Sequence, residues 1–282
     1  MIIKSNELIN LIKEELKDKV SKLNHVPALA IVTDGKDRAS EGYMRRKHSF
    51  GEEIGVKVET LNPFEELKEI NCPLYKSFPY WIETYVTNNF DGAIVQLPIA
   101  EDIGNPFSAI NQIPLEMDSD KFTTKAIGKL AQGDLAQISA TPKGIIKLIE
   151  FLGYDLNGKD VVIVNRTNVI GKPLALALIQ KGATVTVCHS RTKELRKKMK
   201  TADIVITAIG VPKAFGVEDV SINQLVIDAG TTFVNGKQIG DFDTQAIEDF
   251  YGEDIEITSP TGCIGPLTVA CLFENLINDL LK

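Results

Sequence analysis

Metal-ligating side chains are scarce in this chain. Its 282 residues include four cysteines, Cys72, Cys188, Cys263 and Cys271, and three histidines, His25, His48 and His189. No C-x-x-C pair occurs and the histidines stand apart, which excludes the spacings of zinc and iron–sulfur sites and a disulfide framework with them. No metal is expected, and the thiols read as the reduced cysteines of a cytoplasmic protein. Positive charge is not in excess either: 31 Lys+Arg against 38 Asp+Glu leave −7, so no overall field draws nucleic acid or anionic lipid. No apolar run approaches the ~20 residues of a membrane span, and Lys4 and Glu7 interrupt the first segment before a leader core could form. Repeats and low-complexity tracts are missing as well. What remains, 44% hydrophobic and 24% charged residues, is ordinary globular composition and rules out a disordered chain.

At roughly 100–200 residues per domain this length predicts two domains, with one large α/β barrel as the rival. Leu8, Leu11, Ile12, Leu16, Val20 and Leu23 recur at helical spacing, with Ser5 or Asn6 as the cap. A strand is predicted at 28–32, a loop at 33–38, a helix at 40–55, a strand at 56–60, a helix around 80–89 and a buried strand at 92–97. The stretch 114–139 has no clean periodicity and holds the domain passage, with a bridging helix at 142–152. From Asp160 the pattern becomes strand, helix, strand: strands at 160–164, 184–188, 204–208 and 225–228, with helices at 173–181 and 193–200. Continuous apolar strands in that rhythm are those of a doubly wound, nucleotide-binding parallel sheet. The fold class is therefore α/β, with the second domain Rossmann-type and a helix at 268–281 docking at the end.

Four places could carry chemistry. In a doubly wound sheet the turn after Val164 faces the ligand crevice, and the next helix start offers unpaired N–H groups to a phosphate. Of the usual G-x-G-x-x-G, Asn165-Arg166-Thr167-Asn168-Val169-Ile170-Gly171 keeps the last glycine alone. Arg166 there is either a solvated surface residue or the partner of a ribose 2′-phosphate. Cys188-His189-Ser190-Arg191 closes the second strand where NAD binders commonly hold a ribose diol with an acid, and Ser190 and Arg191 suit a phosphate instead. His189 itself reads as a structural donor, having no identifiable carboxylate or serine partner. Tyr43 and Lys47 lie four apart on one helical face, able to stack a flat substrate and move a proton if burial or a neighbouring positive charge lowers the amine's pKa. The bland alternative is a solvated lysine beside a core tyrosine. Short-chain dehydrogenases use the same spacing, but there the pair follows the nucleotide-binding turn; here it precedes it by more than a hundred residues. Gln96, before Leu97-Pro98 at a strand end, is a ligand-facing amide or a satisfied buried one. Asp118-Ser119-Asp120 binds a cation or caps a turn, the turn being commoner.

In this order the segments resemble the bifunctional methylenetetrahydrofolate dehydrogenase/methenyltetrahydrofolate cyclohydrolase family, the FolD type, over nearly the whole chain. Ala39-Ser40-Glu41-Gly42-Tyr43-Met44-Arg45-Arg46-Lys47 is similar to A-S-x-x-Y-V-x-x-K, and 91–98 to D-G-I-L-V-Q-L-P. Thr141-Pro142-Lys143-Gly144 matches T-P-K-G, 165–173 resembles G-R-S-x-I-V-G-x-P, and Gly265-Pro266-Leu267-Thr268 is similar to G-P-M-T. Segments 187–192, 226–230 and Gly240-Asp241 fall where that family has its motifs.

The resemblance implies NADP-dependent oxidation of 5,10-methylenetetrahydrofolate and hydrolysis of the methenyl product to 10-formyltetrahydrofolate, in one-carbon metabolism and purine biosynthesis. Lys47 matches the lysine that handles protons, Gln96 the amide that orients it, Tyr43 the ring that stacks on folate, and Asp120 the carboxylate that holds the pterin. Pro98 and Gly262 fall on the substrate side; Asn165, Arg166, Thr167, Gly171, Ser190 and Thr231 match the NADP positions. It implies a cytoplasmic homodimer acting on a small molecule, without nucleic acid or membrane. The expected domains are 1–138, completed by 266–282, and a Rossmann domain at 139–265, with a cleft between them.

Several positions depart from the family pattern. Lys121 replaces the Gly of D-G, so its side chain either crowds the pterin pocket or alters a turn that needs φ > 0. Asn165 replaces the first Gly of G-R-S, a residue type that tolerates left-handed backbone. Thr231-Thr232 replace Ile-Asn, and 259–263 replaces P-V-P-G-G. The departures keep two other readings open: a non-catalytic folate- or nucleotide-binding paralogue, and a shikimate dehydrogenase-like NADP oxidoreductase. The latter predicts that Tyr43, Lys47, Gln96 and Asp120 do not converge.

Overall fold

The computed structural model describes residues 1–36, 38–70 and 72–282. The side chains of Arg38 and of Ala39 and Ser40, which open the first of the motifs above, lie outside the described residues. The chain divides into two compact units, Leu11–Gln132 with Val269–Lys282, and Met1–Asn10 with Gly133–Thr268.

The first unit is built on a three-stranded parallel sheet in the order Lys57–Leu61, Ala28–Val32, Gly92–Val95. Leu29 to Val32 and Gly92 to Val95 are buried throughout, as expected of apolar parallel strands covered on both faces. One cover is the helix Arg38–Ile54, whose Phe50 stacks on Phe273 of the C-terminal helix Ile264–Leu280 at 5.4 Å. Another is the run from Leu74 to Asn89, which starts well before the predicted residue 80. It includes Pro79 and continues through a π-helical turn at Ile82–Val86. Phe78 from this run packs on Phe64 at 4.9 Å in the core.

The stretch without periodicity proves to be mostly turns and short helices. Met117 to Ser119 lies beside the strand Gly92–Val95 through a bridge between Ala93 and Asp118. A helix follows at Thr124–Ala131, capped by the Thr123 hydroxyl, which accepts from the Ala126 N–H at 3.1 Å. Such side-chain-capped turns leave no hydrophobic period to read.

In the second unit six parallel strands run in the order Ile2–Ile3, Glu256–Thr258, Leu225–Asp228, Ile204–Thr207, Asp160–Val164, Thr184–Cys188. Asp160–Val164 has the next strand in sequence on one side and the one after it on the other. The winding reverses there, which places the ligand crevice beyond Val164. Two buried carboxylates brace the far loops: Asp228 accepts from the N–H groups of Gly230, Asp241 and Phe242, and Asp241 from those of Ile209 and Val211. The residues Met1–Asn10, drawn above within 1–138, group with this second unit. Ile2 and Ile3 pair with Ile257 and Thr258, and the Ser5 hydroxyl donates to the Cys263 carbonyl at 2.8 Å. A two-residue strand carries too little pattern to be seen in sequence. The hairpin Thr232–Val234 and Lys237–Ile239 turns through Asn235 and Gly236, both at positive φ. Asn-Gly is the residue pair that such a two-residue turn favours.

Among the described residues no helix is long and apolar enough to cross a membrane.

Candidate active site

The helix Arg38–Ile54 and the sheet of the first unit bring together residues about fifty positions apart. Lys47 is nearly buried, at 6% exposure, and its Nζ donates to the Gln96 Oε1 at 2.8 Å. Gln96 directly follows the strand Gly92–Val95; its N–H donates to the Val32 carbonyl at 2.8 Å and its Nε2 to the Leu97 carbonyl at 3.0 Å. The amide is thus fixed at both ends, and it presents its oxygen to the amine. The Leu97-Pro98 bond that follows is cis, with Pro98 exposed. Tyr43 lies one helical turn before Lys47, half-buried, with the Arg46 guanidinium 5.5 Å from its ring centroid.

Asp120 completes this group, because it and Lys47 act on one another electrostatically. Burial lowers the Lys47 pKa, and the Asp120 charge partly opposes that. Burial likewise pushes Asp120 up to about 6, against the pull of Lys47 and with a contribution from Asp118. Each group is therefore shifted toward its neutral form, which is the condition for exchanging protons near neutral pH. Asp118 has a different occupation. Its two carboxylate oxygens accept from the Phe122 N–H at 3.2 Å and the Thr123 N–H at 2.8 Å, so of the two readings of this triplet the turn is the one formed.

A stability consequence follows from Asp120. Its carboxyl titrates near 3.9 when unfolded and about 6 when folded, so between those values the folded state holds more protons. Stability contributed by this group therefore falls as pH rises from ~4 to ~6. Asp120→Asn is expected to melt at a higher temperature than the parent at pH 7 and to show no such gain at pH 4; thermal scans at the two pH values check it.

Lys121 does not crowd this group. Its backbone is left-handed, at φ 59°, and its side chain is buried against the Leu115 carbonyl and the Asp279 carboxylate. Neither expected consequence is met: the lysine keeps the turn's φ > 0, and its side chain leaves for the C-terminal helix.

In the second unit the strand register pairs Val164 with Cys188, so the loops 165–167 and 189–191 leave adjacent strand ends. Arg166, Thr167 and Ser190 are exposed there, and Asn165 is buried. The tolerance of asparagine for left-handed backbone is not called on, since Asn165 is not among the residues with positive φ. Its side chain instead organises the turn. Oδ1 accepts from the N–H groups of Thr167 and Gly171 and from the Thr167 hydroxyl, while Nδ2 donates across the switch point to the Ala208 carbonyl.

This corrects a second expectation, that the helix Gly171–Gln180 offers free N–H groups to a phosphate. Ile170, Gly171 and Lys172 all donate within the turn, to the Thr167 Oγ1, the Asn165 Oδ1 and the Thr167 carbonyl, and Pro173 has no N–H. The turn also requires Gly171: a Cβ there would stand 2.1 Å from the Asn165 carbonyl oxygen. Gly171→Ala is accordingly expected to cost about 1–3 kcal/mol by overpacking, measured by urea unfolding.

His189, expected to be a structural donor, is a structural acceptor in a turn, its Nδ1 accepting from the Arg191 N–H at 3.1 Å. Thr231, half-buried, takes a long 3.4 Å contact from the Gln238 Nε2, which also donates to the Pro260 carbonyl at 2.9 Å. Gly262 is exposed at φ 75°, whereas the neighbouring Cys263 is buried, with its thiol pushed up to about 11 by that burial. The cysteine of this altered segment therefore faces the core and leaves the loop's backbone outermost.

Comparison with known proteins places these two groups of residues in context. A family model described as "Tetrahydrofolate dehydrogenase/cyclohydrolase, catalytic domain" matches residues 3–120, and one described as "Tetrahydrofolate dehydrogenase/cyclohydrolase, NAD(P)-binding domain" matches 139–282. The bifunctional protein FolD of Halothermothrix orenii is 36% identical over 286 residues, covering 98% of this chain and 96% of the relative. That of Clostridium beijerinckii is 35% identical over 289 residues, covering 99% and 97%. Among solved structures, the bifunctional methylenetetrahydrofolate dehydrogenase/cyclohydrolase of Campylobacter jejuni superposes with a TM-score of 0.87 at 31% identity, covering 99% of this chain and 98% of that one. The Trypanosoma brucei enzyme, complexed with NADP cofactor and inhibitor, gives 0.85 at 25% identity, covering 100% and 97%.

Proposed function

Because the chain belongs to the tetrahydrofolate dehydrogenase/cyclohydrolase family, we propose that Lys47, Gln96, Tyr43 and Asp120 carry its folate chemistry and that Arg166 and Ser190 select its nicotinamide. The protein oxidises 5,10-methylenetetrahydrofolate with NADP and hydrolyses the methenyl product to 10-formyltetrahydrofolate, a step of one-carbon metabolism. The observation that carries the assignment of residues is the buried Lys47 amine, held by Gln96 at 2.8 Å and electrostatically coupled to Asp120.

NADP, held by Arg166 and Ser190, would supply the acceptor for the hydride that leaves the one-carbon bridge. Everything else is done by side chains. Asp120, as a carboxylate, accepts from the paired N–H donors of the pterin, a bidentate arrangement that fixes the ring. Tyr43 offers a flat face to the same ring. The methenyl product is an amidinium cation, and its positive charge beside Lys47 lowers the amine's pKa further in the direction burial has already taken it. A neutral Lys47 then removes a proton from the water adding to the bridge carbon and returns it to the ring nitrogen as the carbon–nitrogen bond opens, while the second proton of that water leaves to solvent as the formyl C=O forms. Gln96 keeps the amine's lone pair aimed during both transfers. Pro98, exposed just after the Gln96 strand end, belongs to the same substrate group, and the resemblance assigns Gly262 a substrate contact as well.

The donor set beyond Val164 fits a 2′-phosphorylated dinucleotide. Arg166 provides a guanidinium, Ser190 a hydroxyl, and no carboxylate stands at the end of the second strand to hold a ribose diol. Asn165, Thr167 and Gly171 shape that turn, and Thr231 lies two strands along on the same edge.

The grouping of Lys47, Gln96 and Asp120 disfavours a shikimate dehydrogenase-like enzyme, for which they should scatter. The route of Lys121 away from Asp120 removes the main motive for a non-catalytic paralogue. A homodimer, a cytoplasmic location and a supply of formyl groups to purine biosynthesis belong to this same reading. Purified protein should reduce NADP in the presence of 5,10-methylenetetrahydrofolate and deplete added 5,10-methenyltetrahydrofolate. No turnover of either by folded protein would overturn it.

A further inference from the structure

The segment carrying Asp120 is fastened to the C-terminal helix by a charge pair that the family pattern, with glycine at the next position, does not provide. Lys121 sits in the left-handed region, at φ 59°, which few non-glycine residues adopt. It is 1% exposed, and the Asp279 side chain is 4% exposed. A lysine buried to that degree is almost always paired. Its Nζ donates to the Asp279 Oδ2 and, at 3.1 Å, to the Leu115 carbonyl, so the ammonium spans the turn from one side to the other. The second oxygen of Asp279 is taken by the Lys282 amine at 2.7 Å.

A second fastening lies one helical turn earlier. The Asn275 Nδ2 donates to the Ser119 carbonyl at 3.1 Å, and positions 275 and 279 share a helix face. Leu276 reaches the same place: a Cβ on Gly92 would meet its Cδ1 at 2.4 Å and the Ser119 Oγ at 2.7 Å, leaving strand, turn and helix no slack. The Lys121 N–H closes the turn on the Asp118 carbonyl at 3.2 Å. Residues 119 and 121 are thereby pinned to the helix, and Asp120, between them, is left toward Lys47.

We propose that Lys121 and Asp279 are positioning residues, their ion pair locking the 118–121 turn so that the Asp120 carboxylate stands where the pterin and Lys47 need it. The inference rests on the folate assignment above. A buried ion pair contributes little net stability over well-packed apolar residues of similar size, and its best-attested use is to single out one arrangement. That difference supplies the test.

The double variant Lys121→Met/Asp279→Leu replaces the pair by apolar side chains. It is expected to melt close to the parent, while its KM for 5,10-methylenetetrahydrofolate rises about tenfold or more, as a carboxylate displaced by an ångström would cause. Its KM for NADP should stay within about twofold. Lys121→Arg, which keeps the pair, should restore most of the folate affinity; Asp279→Asn, which strands a buried ammonium, should lower both melting temperature and folate affinity. A folded double variant with unchanged folate KM, or with both KM values raised alike, would overturn the proposal. Inactivity of the parent protein in the same assay would instead remove the folate assignment, and the proposal with it, before any substitution is compared.

Discussion

Lys47→Met should lose hydrolysis of 5,10-methenyltetrahydrofolate by roughly 10²- to 10⁴-fold, the usual worth of a positioned general base. The site can accept the change. Lys47 is nearly buried and its pKa is lowered by that burial, so its charge is already a burden on the fold. An unbranched apolar side chain of similar length removes that burden, leaving the Gln96 oxygen without its donor and Asp120, already shifted toward its neutral form, without the opposing charge. The loss should therefore appear in turnover and not in the melting temperature. Lys47→Arg gives the complementary result. It keeps the positive charge but cannot deprotonate near neutrality, so it should be as inactive as the methionine variant if the amine moves protons, and active if only its charge matters. Decay of the methenyl chromophore reads both. Hydrolysis surviving in a folded Lys47→Met protein would take this residue out of the chemistry.

Arg166→Ala is expected to raise the KM for NADP by roughly 10- to 100-fold, the worth of a charged hydrogen bond or two to a phosphate, and that for NAD by less than about twofold. The guanidinium is exposed, and the turn is held by Asn165 and Gly171 without it. Little stability is at risk, which makes the kinetic ratio easy to interpret. The internal saturation of the helix start sharpens the expectation. With Ile170, Gly171 and Lys172 already donating within the turn, side chains have to supply the anion contacts that a helix N-terminus would otherwise share. Steady-state rates with each nicotinamide measure the ratio. Equal increases for NADP and NAD would mean that Arg166 does not read the 2′-phosphate.

Strands were the most legible part of the fold. Ala28–Val32, Asp160–Val164 and Leu225–Asp228 lie where their apolar runs placed them, because a parallel strand buried on both faces writes itself as uninterrupted hydrophobic sequence. Elements with little periodicity were harder. Ile2–Ile3 is too short to register, and the Asn235-Gly236 hairpin was passed over although its turn residues announce it.

The positions of the site residues were readable, but several of their interactions were not. Tyr43 and Lys47 share a helical face by spacing alone, and Gln96 follows from ending a strand. That Asp120 reaches Lys47 while Asp118 serves the turn depends on hydrogen bonds in a segment with no pattern. The partnership of Lys121 with Asp279 spans 158 positions, and nothing in local sequence joins them. Asn165 taught the same lesson: chosen as a glycine substitute for its backbone tolerance, it acts through its side-chain amide.

The most direct measurement is a crystal structure with a tetrahydrofolate analogue and NADP bound together. It should show the pterin N–H donors on the Asp120 carboxylate, the Lys47 amine within hydrogen-bonding distance of the one-carbon bridge, and the ribose 2′-phosphate on Arg166 and Ser190. A pterin lodged away from Asp120 and Lys47, with that amine still tied to Gln96 alone, would contradict the assignment.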